Sequence, residues 1–327
     1  MAKTRVGVLR GGPSSEFDVS LKTGGAILSA LRDNFSDEYQ VIDIFIDQKG
    51  IWHIDGIAIK PEQAIHRVDV MFNALHGAYG EDGKIQGFLE MHSVPYTGSE
   101  SLASAVGMNK TMTNQVLARH GIKIPLSREI PSVDIRQNPE ALAREIFTSF
   151  PIPAVIKPVS GGSSHGVSIV RRHADVAPAL LKAAEHDRAV LIQEFISGIE
   201  ATCGIIENFR NEPLYALPPI EIRPDAEFFD FDAKYKGKSK EIVPATFSHQ
   251  LKKDLETLSR TVHSALGLRH YSRSDFIIHP RRGIYFLEVN TLPGLTNESL
   301  IPKALRAVGG TLHQFADHLI KLAIKLS

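Results

Sequence analysis

The sequence predicts a protein of α/β and α+β class, in which an N-terminal open parallel α/β sheet is followed by two smaller α+β units. Three observations carry that expectation. A buried-type strand, Arg5 to Leu9, runs into Gly11-Gly12-Pro13-Ser14-Ser15-Glu16 and then a helical pattern, the opening of an open α/β sheet. The strand–helix pattern closes near residue 105 and restarts at Asn109. A chain of 327 residues is also too long for one typical core, so two or three domains are expected.

The first helix spans about Glu16 to Leu31, with Ser14 or Ser15 as its N-cap. Strands recur at Gln40–Ile46 and Val68–Ala74, the second ending in Asn73-Ala74-Leu75-His76-Gly77. A helix from Lys84 to Met91 and the strand-like VPYTG complete a parallel sheet. Ligands sit at the carboxyl ends of such strands, where GGPSSE and HGAYGEDG lie. The second unit carries helices at Lys110–Gly121, closed by Gly121 and Pro125, and at Pro139–Phe150. It continues with strands at Ala154–Pro158 and Ser168–Val170, a helix at Asp175–Glu185 and a strand at Val190–Phe195. The third holds strands from Glu200, the polar and aromatic excursion FFDFDAKYKGKSKEIVPA, a helix at Leu251–Gly267, a hairpin and two closing helices. The expected domains are 1–108, 109–199 and 200–327.

Composition narrows the function. Lys+Arg and Asp+Glu both number 37, so nothing argues for a nucleic-acid or anionic-membrane partner. No apolar run approaches a membrane span, and the N-terminus enters a strand and a glycine turn rather than a signal segment. The single cysteine, Cys203, forbids an intrachain disulfide and fits a reducing compartment. The expectation is a cytoplasmic, multidomain, mixed α/β protein.

Chemistry concentrates between Arg273 and Leu300. Pro280-Arg281-Arg282-Gly283 reads as a turn between strands Ser274–His279 and Ile284–Asn290. If those four residues form the loop, His279 faces Ile284, Asp275 faces Glu288, and Arg273 faces Asn290. One surface then carries Arg273, Asp275, Glu288 and Asn290, while Phe276, Ile278, Tyr285, Leu287 and Val289 point the other way. Two carboxylates and an amide oxygen suit a hard cation such as Mg²⁺, and a solvated hairpin face is the alternative. The run PAVIKPVSGGSSHGVSIV is strand, glycine-serine hairpin, strand, and lacks the Gly-Lys-Ser/Thr of a Walker loop. Its free N–H groups can cradle phosphate with Lys157 supplying charge, or it is a flexible surface hairpin. Lys110 begins a helix, and Lys234 sits in an excursion too rich in charge and aromatics for a passive loop. The run from Gln193 to Ile196, followed by Glu200, reads either as an adenine-contacting linker or as an interdomain connection.

These stretches together resemble the D-alanine–D-alanine ligases of the ATP-grasp superfamily over nearly the whole chain. The resemblance is carried by GGPSSE, HGAYGEDGKIQGFLE, YTGS with Met108-Asn109-Lys110, VIKPVSGGSSHGV, FDFDAKY, RSDF and EVNTLPGLTNESLIP, in that order. It implies an ATP-grasp fold, with the units after 109 and after 200 holding nucleotide between them. It further implies that Lys110 and Lys157 bind ATP phosphates, that Gln193, Glu194, Phe195 and Ile196 line the adenine, and that Glu200 holds ribose. Lys234 would contact the γ-phosphate, and Asp275, Glu288 and Asn290 would hold two Mg²⁺ (or Mn²⁺) ions. Arg273 and the Gly294 N–H would stabilise an oxyanion. Glu16 would bind the ammonium of the first D-alanine with His76 beside it, and Ser299 and Leu300 would receive the second substrate's carboxylate. Glu16, Ser163 and Tyr235 would form one hydrogen-bonded network.

Phe229 and Phe231 stand where relatives often carry tyrosines, Gln193 where an acid is common, and Asn109 where an aspartate is usual. None removes a metal ligand or a phosphate-binding lysine. Tyr235 is the residue type of D-alanine-specific relatives. The expected activity is ATP-dependent joining of two D-alanines through an acyl phosphate, for peptidoglycan, by a homodimer. D-serine or D-lactate as acceptor, and a non-catalytic nucleotide-binding regulator, are the alternatives.

Overall fold

The computed structural model describes residues 3–162, 165–224 and 239–325. The chain opens with β1 (Thr4–Gly11), α1 (Phe17–Asn34), β2 (Tyr39–Ile46), β3 (Trp52–Ile54), β4 (Ile57–Ile59), α2 (Pro61–Ile65), β5 (Val70–Asn73), α3 (Lys84–Met91) and α4 (Ser101–Met108). It continues with α5 (Lys110–Arg119), β6 (Ser127–Pro131), α6 (Ser132–Gln137), α7 (Pro139–Ser149), β7 (Ala154–Pro158), β8 (Ser168–Val170), α8 (His173–Ala184) and β9 (Ala189–Glu194). Then come β10 (Ile199–Phe209), β11 (Glu212–Ala216), β12 (Ile220–Pro224), β13 (Ser239–Ile242), α9 (His249–Ala265), β14 (Tyr271–His279), β15 (Gly283–Asn290), α10 (Leu300–Ala307) and α11 (Leu312–Lys325).

The first sheet runs β4-β3-β2-β1-β5. β1 pairs in parallel with β2 and with β5, as the buried strand patterns predict. The sheet is not parallel throughout, because β3 and β4 extend it as an antiparallel hairpin. Asp55 and Gly56 turn that hairpin with positive φ at both positions, an Asp-Gly turn whose twist suits flanking strands. One face of the sheet buries Val6, Val8, Val70 and Phe72 against Ile27 and Leu31 of α1 and Phe315, Leu319 and Ile320 of α11. The other buries Leu9, Ile44 and Met71 against Trp52 and Leu89. Gly7 is required at the middle of β1, where a Cβ would lie 2.8 Å from the side chains of Ile44, Val68 and Met71. The predicted serine N-cap of α1 is not formed. Glu16 occupies that position, and Ser14 Oγ instead accepts the Glu16 N–H at 3.1 Å, inside the preceding turn.

A second sheet, β6-β9-β7-β8, is antiparallel at every pairing, and α7 and α8 cover it through Ala143, Ile146, Val176 and Leu180. The third sheet runs β13-β12-β10-β14-β15, with β11 paired to β10 off that path. Leu255 and Val262 of α9 pack on it together with Leu117 of α5. Among the described residues no helix is long and apolar enough to cross a membrane.

Candidate active site

Strands β14 and β15 position the acids. Asp275 lies opposite Glu288 and Arg273 opposite Asn290, as the hairpin reading predicts. The turn end differs: His279 pairs with Gly283, not Ile284, and Phe276 pairs with Phe286. The register therefore shifts by one between Phe276 and Asp275, and Leu287 is the extra residue of a β-bulge. The bulge exchanges core side chains. Phe286 joins Phe276 in the apolar layer at a centroid separation of 6.0 Å, in place of the predicted Tyr285. Tyr285 is instead covered by the Arg282 guanidinium, 4.9 Å from its ring centre.

Asp275 is buried and held from several sides. Thr202 Oγ1 on β10 donates to Oδ1 at 2.6 Å, Arg273 Nε donates to Oδ1 and Nη2 to Oδ2 at 2.9 Å each, and Asn290 Nδ2 donates to Oδ2 at 3.2 Å. Burial disfavours the Arg273 charge, but Asp275, then Glu288 and Glu81, outweigh it and hold the guanidinium above its ordinary pKa. Arg273, Asp275, Glu288 and Asn290 line one side of a cavity of ≈ 280 Å³.

The opposite wall is built at the carboxyl end of the first sheet. Glu16 begins α1, while His76 and Glu81 follow β5, and all three line the cavity. Gly77, with φ +69, keeps the loop close: a Cβ there would sit 2.6 Å from Ser14 Oγ. His76 Nε2 lies 2.8 Å from Thr23 Oγ1, and burial pushes the imidazole down to about 4, so it stays neutral. Glu81 accepts the Gly77 N–H at 3.0 Å and the Leu292 N–H at 3.2 Å. Burial and the nearby Glu16 nevertheless push its carboxyl up to about 7.

The glycine-serine run closes on the same space. Lys110 Nζ donates to the Gly161 carbonyl at 2.7 Å, and its own N–H bonds the Val159 carbonyl at 3.0 Å. Asn109 is the N-cap of α5, accepting the Met112 N–H at 2.9 Å, which accounts locally for an amide at that position. Gly162 comes so near Glu16 that a Cβ would lie 2.6 Å from Oε1. Glu200, Gly294 and Leu300 also face the cavity. Ser299 is the N-cap residue of α10, its Oγ accepting the Thr296 N–H at 3.1 Å beneath Gly294.

Other predicted residues do not line this cavity. Lys157 is buried at the end of β7, and Gln193 is 2% exposed with its Nε2 unpaired among the described residues. Glu194 forms an ion pair with Arg282 at 2.5 Å, joining the end of β9 to the β14–β15 turn, and that pairing holds its carboxyl below the usual range. Phe195 lies under the Arg171 guanidinium at 5.4 Å, and Ile196 is buried. Ser163, Lys234 and Tyr235, with Phe229 and Phe231, lie outside the described residues. Two residues of the site escape sequence reasoning: Glu81, inside the HGAYGEDG stretch, and Thr202, whose only signal is a hydroxyl in the apolar ATCGII run.

The chain matches two family descriptions, "D-ala D-ala ligase C-terminus" over residues 116–321 and "D-ala D-ala ligase N-terminus" over residues 55–99. It is 39% identical over 325 residues to the D-alanine–D-alanine ligase of Geotalea uraniireducens, covering 99% of this chain and 97% of that one. The D-alanine–D-alanine ligase of Bacillus anthracis, solved in complex with ATP, superposes with a TM-score of 0.81 at 32% identity, covering 99% and 98% of the two chains. The VanG D-Ala:D-Ser ligase of Enterococcus faecalis superposes with a TM-score of 0.84 at 30% identity, covering 98% of this chain and all of the other. Sequence and architecture agree, and this chain belongs to the D-alanine–D-alanine ligase family of ATP-grasp enzymes.

Proposed function

We propose that the protein joins two D-alanines to D-alanyl-D-alanine for peptidoglycan, converting ATP to ADP and phosphate. The observation that carries this reading is one cavity lined by an amine-side cluster, Glu16 with His76, and by Arg273, the acids Asp275 and Glu288 and the Asn290 amide. A carboxylate is a poor acyl donor. Its oxygen attacks the γ-phosphorus of ATP, the bond to the ADP oxygen breaks, and an acyl phosphate forms. Such a transfer needs alignment and charge neutralisation more than covalent help from the protein. Lys110 and Lys157, with Lys234, neutralise the phosphates, while Gln193 to Ile196 and Glu200 hold the nucleoside. The hard oxygen donors of Asp275, Glu288 and Asn290, grouped by the strand register, suit Mg²⁺ or Mn²⁺. Two such ions, when bound, supply positive charge beside the transferring phosphoryl group.

The first D-alanine presents its ammonium to Glu16 beside His76, and the second seats its carboxylate at Ser299 and Leu300, at the N-terminus of α10. The second amine, once deprotonated, attacks the acyl carbon. Arg273 and the Gly294 N–H stabilise the tetrahedral oxyanion, and phosphate leaves as the carbonyl re-forms. The resemblance assigns Ser163 and Tyr235, which lie outside the described residues, to one hydrogen-bonded network with Glu16. We further assign domains to 1–108, 109–199 and 200–327, a cytoplasmic location and a homodimeric state. The likeness to a D-Ala:D-Ser ligase keeps D-serine as the competing acceptor.

Phosphate release with and without D-alanine, in the presence of ATP and Mg²⁺, followed by product mass, tests the reading. One phosphate per D-alanyl-D-alanine is expected. Phosphate release without that dipeptide, or a mixed product formed in preference when D-serine is supplied, would overturn it.

A further inference from the structure

We propose that Glu81 is a second carboxylate of the amine end: with Glu16 and His76 it receives the donor ammonium, and a proton held by the Glu16–Glu81 pair departs as the ammonium enters. This inference rests on the ligase reading above. Its first support is spacing. Acceptor atoms of Glu16, His76 and Glu81 all lie within 4.8 Å of one another, with 3.9 Å between His76 Nδ1 and Glu81 Oε1. An ammonium nitrogen ~2.8 Å from each acceptor, in tetrahedral directions, sets those acceptors ~4.6 Å apart. A zinc ion with ligands at ~2.0–2.1 Å would draw them to ~3.4 Å. The 4.8 Å bound admits the spread an ammonium needs, and the 3.9 Å pair lies between the two geometries.

The second support is rigidity. Glu81 is held by the N–H groups of Gly77 and Leu292 and by Thr291 Oγ1 at 3.4 Å, so both of its carboxylate oxygens are tied to backbone or side-chain donors. The bonds to Thr291 and Leu292 tie it to the segment just before Gly294, which links the amine-binding wall to the oxyanion wall.

The third support is charge. The groups facing Glu81 are Glu16 on α1, His76 beside β5, and Arg273 and Tyr271 on β14. His76 is neutral above about 4, Arg273 is charged throughout, and burial raises the Tyr271 phenol so that it stays neutral. Among these groups burial and the nearby Glu16 push the Glu81 carboxyl up to about 7. An entering ammonium favours the charged carboxylate and lowers that pKa. Affinity for the donor is then complete above the free-enzyme pKa and weakens roughly tenfold per pH unit below it.

The test is calorimetric titration of D-alanine into the full-length protein carrying Mg²⁺ and a non-hydrolysable ATP analogue, in two buffers of different ionisation heat. At pH 6.5 the wild type should release more than half a proton per donor bound, and at pH 8.5 almost none. Glu81→Gln should bind D-alanine more weakly with buffer-independent heat, and Glu81→Asp should restore the release. Buffer-independent heat from the wild type at pH 6.5, a measurement that does not depend on any variant folding, overturns the assignment. So does unchanged proton release from a folded Glu81→Gln. Absence of any D-alanine heat overturns the ligase reading itself, and this inference with it.

Discussion

Thr202 offers the most direct test of how the acids are held. Its hydroxyl, on a residue only 1% exposed, donates to Asp275 Oδ1 at 2.6 Å. Thr202→Val keeps the branched shape and deletes the donor. A hydrogen bond to a buried charged group contributes ~1.5–3 kcal/mol. Here Oδ1 retains the Arg273 Nε donor at 2.9 Å, so the carboxylate is not orphaned and the lower half of that range applies. A loss of ~1.5–2 kcal/mol in the positioning of Asp275 corresponds to ~10–30-fold in kcat/KM, the size usual for partners that orient metal ligands. The assay is D-alanine-dependent phosphate release as a function of Mg²⁺ concentration. The Mg²⁺ midpoint should rise with the loss of kcat/KM, and Thr202→Ser, which keeps the donor, should recover most of the activity. Wild-type Mg²⁺ dependence in a folded Thr202→Val would refute the view that β10 orients Asp275.

Glu288→Gln should abolish turnover while the circular dichroism spectrum and melting temperature stay near wild type. Activity within tenfold of wild type would remove Glu288 from the metal set. Gly162→Ala would place a Cβ 2.6 Å from Glu16 Oε1, so either the glycine run or the glutamate must shift. Steady-state kinetics should show a higher KM for D-alanine, with a smaller change in the KM for ATP. Asn109→Ala deletes the cap on the Met112 N–H and should cost ~1 kcal/mol in unfolding free energy, read by urea denaturation, whereas Asn109→Asp should restore it.

Local chemistry was legible wherever it follows a short-range rule. The predicted boundaries Lys84–Met91, Ala154–Pro158 and Ser168–Val170 coincide with α3, β7 and β8, because helical periodicity, Gly83 and the proline at 158 all act within a few residues. Three of the features read wrongly or passed over failed for different reasons. The β3–β4 hairpin did carry a local signal, Asp55-Gly56 between alternating apolar residues, but strands of three residues fall below the length at which alternation is persuasive. The bulge at Leu287 carries none. Alternation from the turn places Tyr285 and Leu287 inward, and only the fit of Phe286 beneath Phe276 in the third sheet decides otherwise.

Glu81 is the case from which most follows about the site. In the sequence it is one acid among the polar residues of a loop, indistinguishable from Asp82 beside it. Asp82 pairs with Lys84 at 2.7 Å and has its carboxyl held below the ordinary range. Glu81 turns inward, where Leu292, 211 residues further along the chain, donates to it, and burial with Glu16 drives its carboxyl the opposite way. Two adjacent acids thus acquire opposite electrostatics, Asp82 from Lys84 at the surface and Glu81 from burial beside Glu16. The bulge and the Leu292 bond to Glu81 lie on one segment: the extra residue at 287 keeps Glu288 and Asn290 facing the cavity while Phe286 stays in the core, and the chain then runs on through Leu292 to the amine-binding wall. The metal-ligand face and the proton-holding acid are therefore coupled through six residues, Leu287 to Leu292. Restoring regular pairing by deleting Leu287 should disturb both at once, lowering Mg²⁺ affinity and abolishing pH-dependent proton release together; loss of one without the other would separate them.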